Sequence, residues 1–171
     1  MAGKGPAHSG SRSKMKTIPI GTIHSPHKQA TGTPVQPAFA QGVQGTVELL
    51  PEFAPGLKDL GGFERIWLVY WFDRASQAQL EVTPYLDTQT RGLFATRSPC
   101  RPNPIGMSCV RISRIEGNVI HVLDLDMLDG TPLLDIKPYV PAFDAHTAVR
   151  IGWFGTVKGV STSADARFEA K

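Results

Sequence analysis

Apolar residues in this chain come in short runs, each cut off by proline or glycine, and almost nowhere do they recur at the 3.6-residue spacing of a helix. Eight such runs read as strands: residues 17–23, 45–50, 63–72, 92–96, 107–112, 119–125, 133–136 and 149–154. Gly117-Asn118 is placed to turn a hairpin between the fifth and sixth of these runs, joining 107–112 to 119–125. Seven or eight short strands at such intervals predict an all-β fold, a single small β-barrel with minor helical content. The helical content is expected near Leu57 and Leu60, as a short turn within residues 55–62. Residues 63–72 carry Ile66, Trp67, Leu68, Val69, Tyr70 and Trp71 almost without interruption, which predicts a central strand buried on both faces. In 107–112, Val110 and Ile112 alternate with Cys109 and Arg111, the pattern of a half-buried strand.

The 171 residues suit one domain with a full core. Residues 1–16 hold Gly, Ser, Ala and the unbalanced cations Lys4, Arg12, Lys14 and Lys16, so a disordered basic tail is expected there. The barrel is expected over 17–160, and a polar C-terminal tail over 161–171. A formal charge of +3 is too small to assign a partner by itself. No apolar run approaches the roughly 20 residues that span a bilayer, and no secretory signal opens the chain. No membrane partner and a cytoplasmic location follow as expectations. Cys100 and Cys109 are expected as free thiols. His24 and His27 lie close in sequence without further ligands at metal-binding distance, so no metal site is expected.

Nucleotide-binding signatures are missing: there is no GxGxxG after a strand and no GxxxxGK[ST]. The chemistry concentrates instead in two loops, RGLFATRSPCRPNPIGMS at 91–108 and DGTPLLDIKPYVP at 129–141. Proline stiffens such loops and removes backbone donors, while glycine lets the backbone approach a ligand closely. Arg91, Arg97 and Arg101 bring three guanidinium groups into eleven residues, and guanidinium pairs with carboxylate or phosphate. The same arginines also suit a purely structural pairing with Asp129 and Asp135. In the segment from Asp135 to Tyr139, a rigid carbonyl beside Pro138 and the Tyr139 ring suit a planar base whose amine loses a proton.

Together FATRS at 94–98, RPNPIGMS at 101–108, DGTP at 129–132 and LDIKPY at 134–139 resemble the TrmO (TsaA-like) family. The likeness extends from about Ile18 to Phe154 through IGTIHSP at 20–26 and IGWF at 151–154. It implies an S-adenosylmethionine-dependent tRNA methyltransferase acting on N6 of threonylcarbamoyladenosine at position 37, beside the anticodon. It also implies a β-barrel in place of a Rossmann sheet, and a homodimer. By the same resemblance the cofactor contacts fall at Pro34, Val35, Gln36, Asp73, Arg74, Arg97, Met107, Met127, Leu128, Asp129 and Gly130. Two of these depart from the family pattern: Val35 stands where Arg is usual, and Asp73 where His is usual.

Asp135, Lys137 and Tyr139 are the candidate catalytic residues: a proton acceptor, a partner for the threonyl carboxylate and a stacking platform. Arg91, Arg101, Asn103, Arg111 and Lys137 are the candidate contacts to the tRNA anticodon loop. Two other functions fit the same motifs, a non-catalytic S-adenosylmethionine-binding or regulatory module and a methyltransferase acting on another substrate. The polar second loop favours catalysis, since a sensor needs no rigid polar wall beside a methyl donor.

Overall fold

Six strands pair side by side until no free edge is left. The computed structural model describes residues 16–157 and 161–170. In it β1 (Gly21–His24), β2 (Gln44–Leu49), β3 (Arg65–Trp71), β6 (Ile105–Glu116), β7 (Val119–Leu123) and β8 (Thr131–Pro138) close in the order β1-β2-β7-β6-β3-β8. All neighbours run antiparallel, and the seam closes where Gly21 meets Leu133. The expected all-β barrel is therefore the observed fold. Two short strands, β4 (Glu81–Val82) and β5 (Arg91–Gly92), form a separate ribbon beside it. The only α-helical turn among the described residues is α1 (Pro141–Asp144), the rest being 3-10 turns. One pair of these, Pro51–Leu57 and Leu60–Gly62, brackets the expected helical turn.

Strand period two decides which side chains fill the barrel. Ile23, Val47, Ile66, Leu68, Val110, Ile120, Val122 and Leu133 all point inward and are at most 1% exposed. Each such burial contributes about 1.5–3 kcal/mol. The hairpin at Gly117-Asn118 is present, with Gly117 at a φ of 61°.

β3 corrects one expectation. It alternates strictly, with Ile66, Leu68 and Tyr70 buried and Arg65, Trp67, Val69 and Trp71 half-buried on the other face. A closed barrel has one interior, so an apolar run along a strand fills that interior from one face only. The outer face of β3 carries the surplus aromatic surface.

Two expected strands are not strands. Of residues 92–96 only Gly92 belongs to a strand, as the end of β5, and Leu93–Ala95 is a 3-10 turn. Residues 149–154 run into a 3-10 turn, Gly152–Thr156, entered through Gly152 at a φ of 59°. That left-handed residue breaks the extension that the surrounding apolar residues suggest.

The C-terminal segment also differs from the polar tail expected of it. Phe168 is 6% exposed and packs with Val82, Leu93, Cys100 and Tyr85 in a second small core. Ser163 bridges Pro34, and Glu169 bridges Ala75, so 161–170 binds back across the loops at one barrel end. The expected N-terminal tail lies outside the described residues, apart from Lys16. Cys100 is buried, Cys109 is half-buried, and neither is bonded to the other. No described helix is long and apolar enough to cross a membrane.

Candidate active site

Where β3 ends and β8 begins, the loops leave a cleft of about 880 Å³. That is within the size range of small-molecule sites, roughly 300–1,000 Å³. One wall is the segment 34–36, held by the Pro34–Ser163 bridge. Opposite it run the Leu93–Ala95 turn and the loop to Pro99. The link from β7 to β8 supplies Asp126, Met127 and Leu128, and the Gly152–Thr156 turn supplies Trp153 and Phe154. Trp153 Nε1 donates to the Ala95 carbonyl at 2.8 Å, which pins these two turns together. Aromatic rings of Phe72, Phe94, Trp153 and Phe154 make much of the lining apolar.

The polar part of the lining is small and ordered. Arg97 donates to the Gln36 side-chain oxygen across the cleft. On the barrel side, Tyr70, Ser108 and Asp126 form a chain: Tyr70 Oη lies 3.1 Å from Ser108 Oγ, and Ser108 Oγ donates to Asp126 Oδ1 at 2.6 Å. Burial, with Asp126 nearby, pushes the Tyr70 hydroxyl far above the usual tyrosine range, so Tyr70 keeps its proton. Burial also pushes the Asp126 carboxyl up to about 7, against the opposing pull of the Ser108 hydrogen bond and of Arg97. No cation forms a salt bridge with Asp126 among the described residues.

Asp126 was not among the residues the sequence singled out. Within LDLDMLDG at 123–130, any of three aspartates suits a loop or a turn. Asp124 takes the left-handed conformation, φ 74°, and its carboxylate is clasped by Arg111 at 2.7 and 2.8 Å. Asp129 holds Lys28 at 2.7 Å and the Ser25 backbone N–H at 3.1 Å. Asp126 alone of the three enters the cleft.

Of the expected cofactor contacts, Pro34, Val35, Gln36, Asp73, Arg74, Arg97, Met127 and Leu128 converge on this cleft. Asp129 and Gly130 stand just behind it. Arg74 Nη2 donates to the Asp129 carbonyl at 2.7 Å, and the Gly130 N–H donates to Ile23 at 2.9 Å. Met107 points the other way, 53% exposed on the outer face of β6 and paired with Val69 of β3.

Asp135, Lys137 and Tyr139 lie outside the cleft, along β8 and just past its end. Lys137 Nζ pairs with Asp135 Oδ2 at 2.7 Å, and the Tyr139 ring tilts against Trp67 at 5.9 Å. Asp135 thus neutralises a lysine, and among the described residues no arginine pairs with it.

The candidate RNA contacts are dispersed and largely partnered. Arg91 Nε donates to Asp87 at 2.7 Å, with its guanidinium 5.6 Å from the Trp153 ring centre. Arg101 donates to the Thr96 carbonyl at 3.1 Å and lies over Phe94. Arg111 is taken by Asp124, and Lys137 by Asp135. Asn103 sits in the turn before β6, its carbonyl accepting from the Ile105 N–H at 2.8 Å.

Chemically, the cleft suits a ligand with a flat apolar part, an anionic group for Arg97 and a positive charge for Asp126. The comparisons with known proteins point the same way. The family model described as the tRNA-methyltransferase O N-terminal domain matches residues 22–145. A probable S-adenosyl-L-methionine-binding protein of Pyrococcus abyssi is 54% identical over 135 residues, which is 79% of this chain and 73% of that protein. The tRNA (adenine(37)-N6)-methyltransferase of Escherichia coli is 36% identical over 132 residues, 71% of this chain but 56% of that protein. A crystal structure of TrmO from Pseudomonas aeruginosa superposes with a TM-score of 0.70 at 38% identity, covering 82% of this chain and 63% of its own. The chain therefore spans less than two thirds of the last two proteins.

Proposed function

Because the chain belongs to the tRNA-methyltransferase O N-terminal domain family, we propose that its cleft binds S-adenosylmethionine and that it methylates N6 of threonylcarbamoyladenosine at position 37 of tRNA. The observation that carries this reading is the cleft itself, where eight of the eleven expected contacts meet. Arg97 suits the methionine carboxylate by paired hydrogen bonds. Leu128 and the aromatic walls suit the adenine ring. When bound, the cofactor supplies a methyl group made electrophilic by a sulfonium. The protein's task is then to hold the amine in line with it, and orientation of that kind is worth up to about 7–11 kcal/mol.

The substrate base needs a surface beside the cleft. Asp135, Lys137 and Tyr139 sit on the outer face that also carries Trp67, Val69, Trp71, Ile105 and Met107. We read this apolar face as the seam of a homodimer, which places those three residues at a subunit boundary, within reach of substrate.

The test is methyl transfer from labelled S-adenosylmethionine to tRNA with and without the threonylcarbamoyl group, followed by mass spectrometry of the nucleosides. Methylation confined to the modified adenosine is the expected result. Cofactor binding without transfer to any tRNA would leave a binding module, and transfer to another nucleoside would change the substrate. Asp135→Asn and Tyr139→Ala are expected to bind cofactor normally while losing transfer. Wild-type turnover in both would remove that segment from the reaction.

A further inference from the structure

Resting on that reading of the cleft, we propose that Asp126 is the counter-charge for the positive charge the cofactor brings, so that binding expels a proton from the protein. Three observations lead there. Asp126 lines the cleft, and among the described residues only one side chain, Ser108, donates to it. Ser108 in turn is held by Tyr70, so the chain Tyr70–Ser108–Asp126 fixes the carboxyl in one orientation. Arg97, the cation whose charge acts on Asp126, is engaged by Gln36 and forms no salt bridge with Asp126. A carboxylate with apolar neighbours and no paired cation is costly, and the cost disappears when a cationic ligand arrives beside it.

The free cleft answers this cost by holding Asp126 protonated up to about pH 7. A sulfonium or ammonium group beside the carboxyl favours the ionised form. The O–H bond then breaks, the proton leaves to the buffer, and the carboxylate stays paired with the ligand's charge. The groups facing Asp126 are Tyr70 from β3, Ser108 from β6 and Arg97 from the loop after β5. Tyr70 is pushed upward and does not ionise in this range. Asp73, Arg74, Tyr85 and Glu169 also line the cleft, which makes the Asp126→Asn control necessary.

Two consequences separate this arrangement from a merely structural carboxyl. Affinity for S-adenosylmethionine should fall about tenfold per pH unit once the pH is well below 7. Binding at pH 6.5 should release roughly three quarters of a proton, the fraction carried by a group titrating near 7.

Calorimetry in buffers of different ionisation enthalpy reads the proton directly. The wild type should release it on binding S-adenosylmethionine at pH 6.5, and the Asp126→Asn variant should bind at least tenfold more weakly and release none. 5′-Methylthioadenosine, which lacks both charges, should bind without proton release. S-Adenosylhomocysteine retains only the ammonium: release with it assigns Asp126 to the ammonium, and no release assigns it to the sulfonium. The ligand-free protein gives an independent readout, a carboxyl seen by infrared or carbon NMR that titrates near pH 7 and is absent in Asp126→Asn. Cofactor binding with no proton release, or with equal release in the variant, overturns the proposal and leaves the cofactor site standing. Absence of any cofactor binding overturns the reading beneath it.

Discussion

Gly106 lies directly opposite Tyr70 on the neighbouring strand, and the Tyr70 ring occupies the space a side chain would need. A Cβ at position 106 would fall 2.3 Å from one ring atom of Tyr70 and 2.8 Å from the Phe72 ring. Tyr70 and Phe72 themselves meet edge to face at 5.2 Å. The glycine of the RPNPIGMS string is therefore what lets Tyr70 lean across to Ser108.

Gly106→Ala should destabilise the protein by about 1–3 kcal/mol, the range for overpacking a tight core. It should also pull Tyr70 off Ser108 and so alter the setting of Asp126. Urea unfolding measures the first effect. A wild-type midpoint would mean that the rings shift aside at no cost.

Stability should depend on pH through Asp126. Its folded-state pKa, about 7, lies above the ordinary carboxyl value. The stability it contributes is thus full below the unfolded value, near 4, and is lost as pH rises through about 7. Asp126→Asn removes this loss, so its melting temperature should gain on the wild type between pH 5 and pH 8. Asp87, Asp124, Asp129 and Asp165 are shifted downward and act at the acid end in both proteins. Melting curves of the ligand-free proteins that stay parallel across this range would contradict the raised carboxyl.

Arg97→Ala should weaken S-adenosylmethionine binding by about 1.5–3 kcal/mol, the worth of a hydrogen bond to a charged group. It also frees Gln36. Calorimetry at pH 8, where Asp126 is already ionised, isolates the loss of the guanidinium. Unchanged affinity there would take Arg97 out of the site.

The homodimer can be tested on the outer face of the barrel. Met107 is 53% exposed there, between half-buried residues of β3 and β6. Met107→Glu puts a charge into that apolar face and should leave a folded monomer where the wild type is a dimer. Light scattering at micromolar concentration reads both masses. A monomeric wild type would remove the seam and the boundary position of Asp135, Lys137 and Tyr139 with it.

The barrel was legible because period-two alternation survives in nearly every strand. What alternation could not give was the outcome at residues of left-handed backbone. Asp124 at φ 74° resets the inward and outward sense after β7, so Leu125 returns to the core and Asp126 enters the cleft. Gly152 does the same to a run that reads as a strand. The segment around Phe168 was misread for another reason, since one aromatic among polar neighbours gives no period at all. The cleft contacts at 34–36, 73–74, 97 and 127–128 lie far apart in sequence, and only the family likeness grouped them. Met107 lay in the same grouping, yet its strand position turns it to the opposite face.

The closing pair of the barrel also constrains how the chain reaches this state. Gly21 of β1 must find Leu133 of β8, a little over a hundred residues later, to close the barrel. Such long-range closure is slow, with refolding of comparable topologies falling in the millisecond-to-second range. Until it closes, β1 and β8 each present an unpaired edge, which is the form of this protein most exposed to aggregation. Rapid dilution from denaturant at high concentration is thus the condition under which its yield should suffer first.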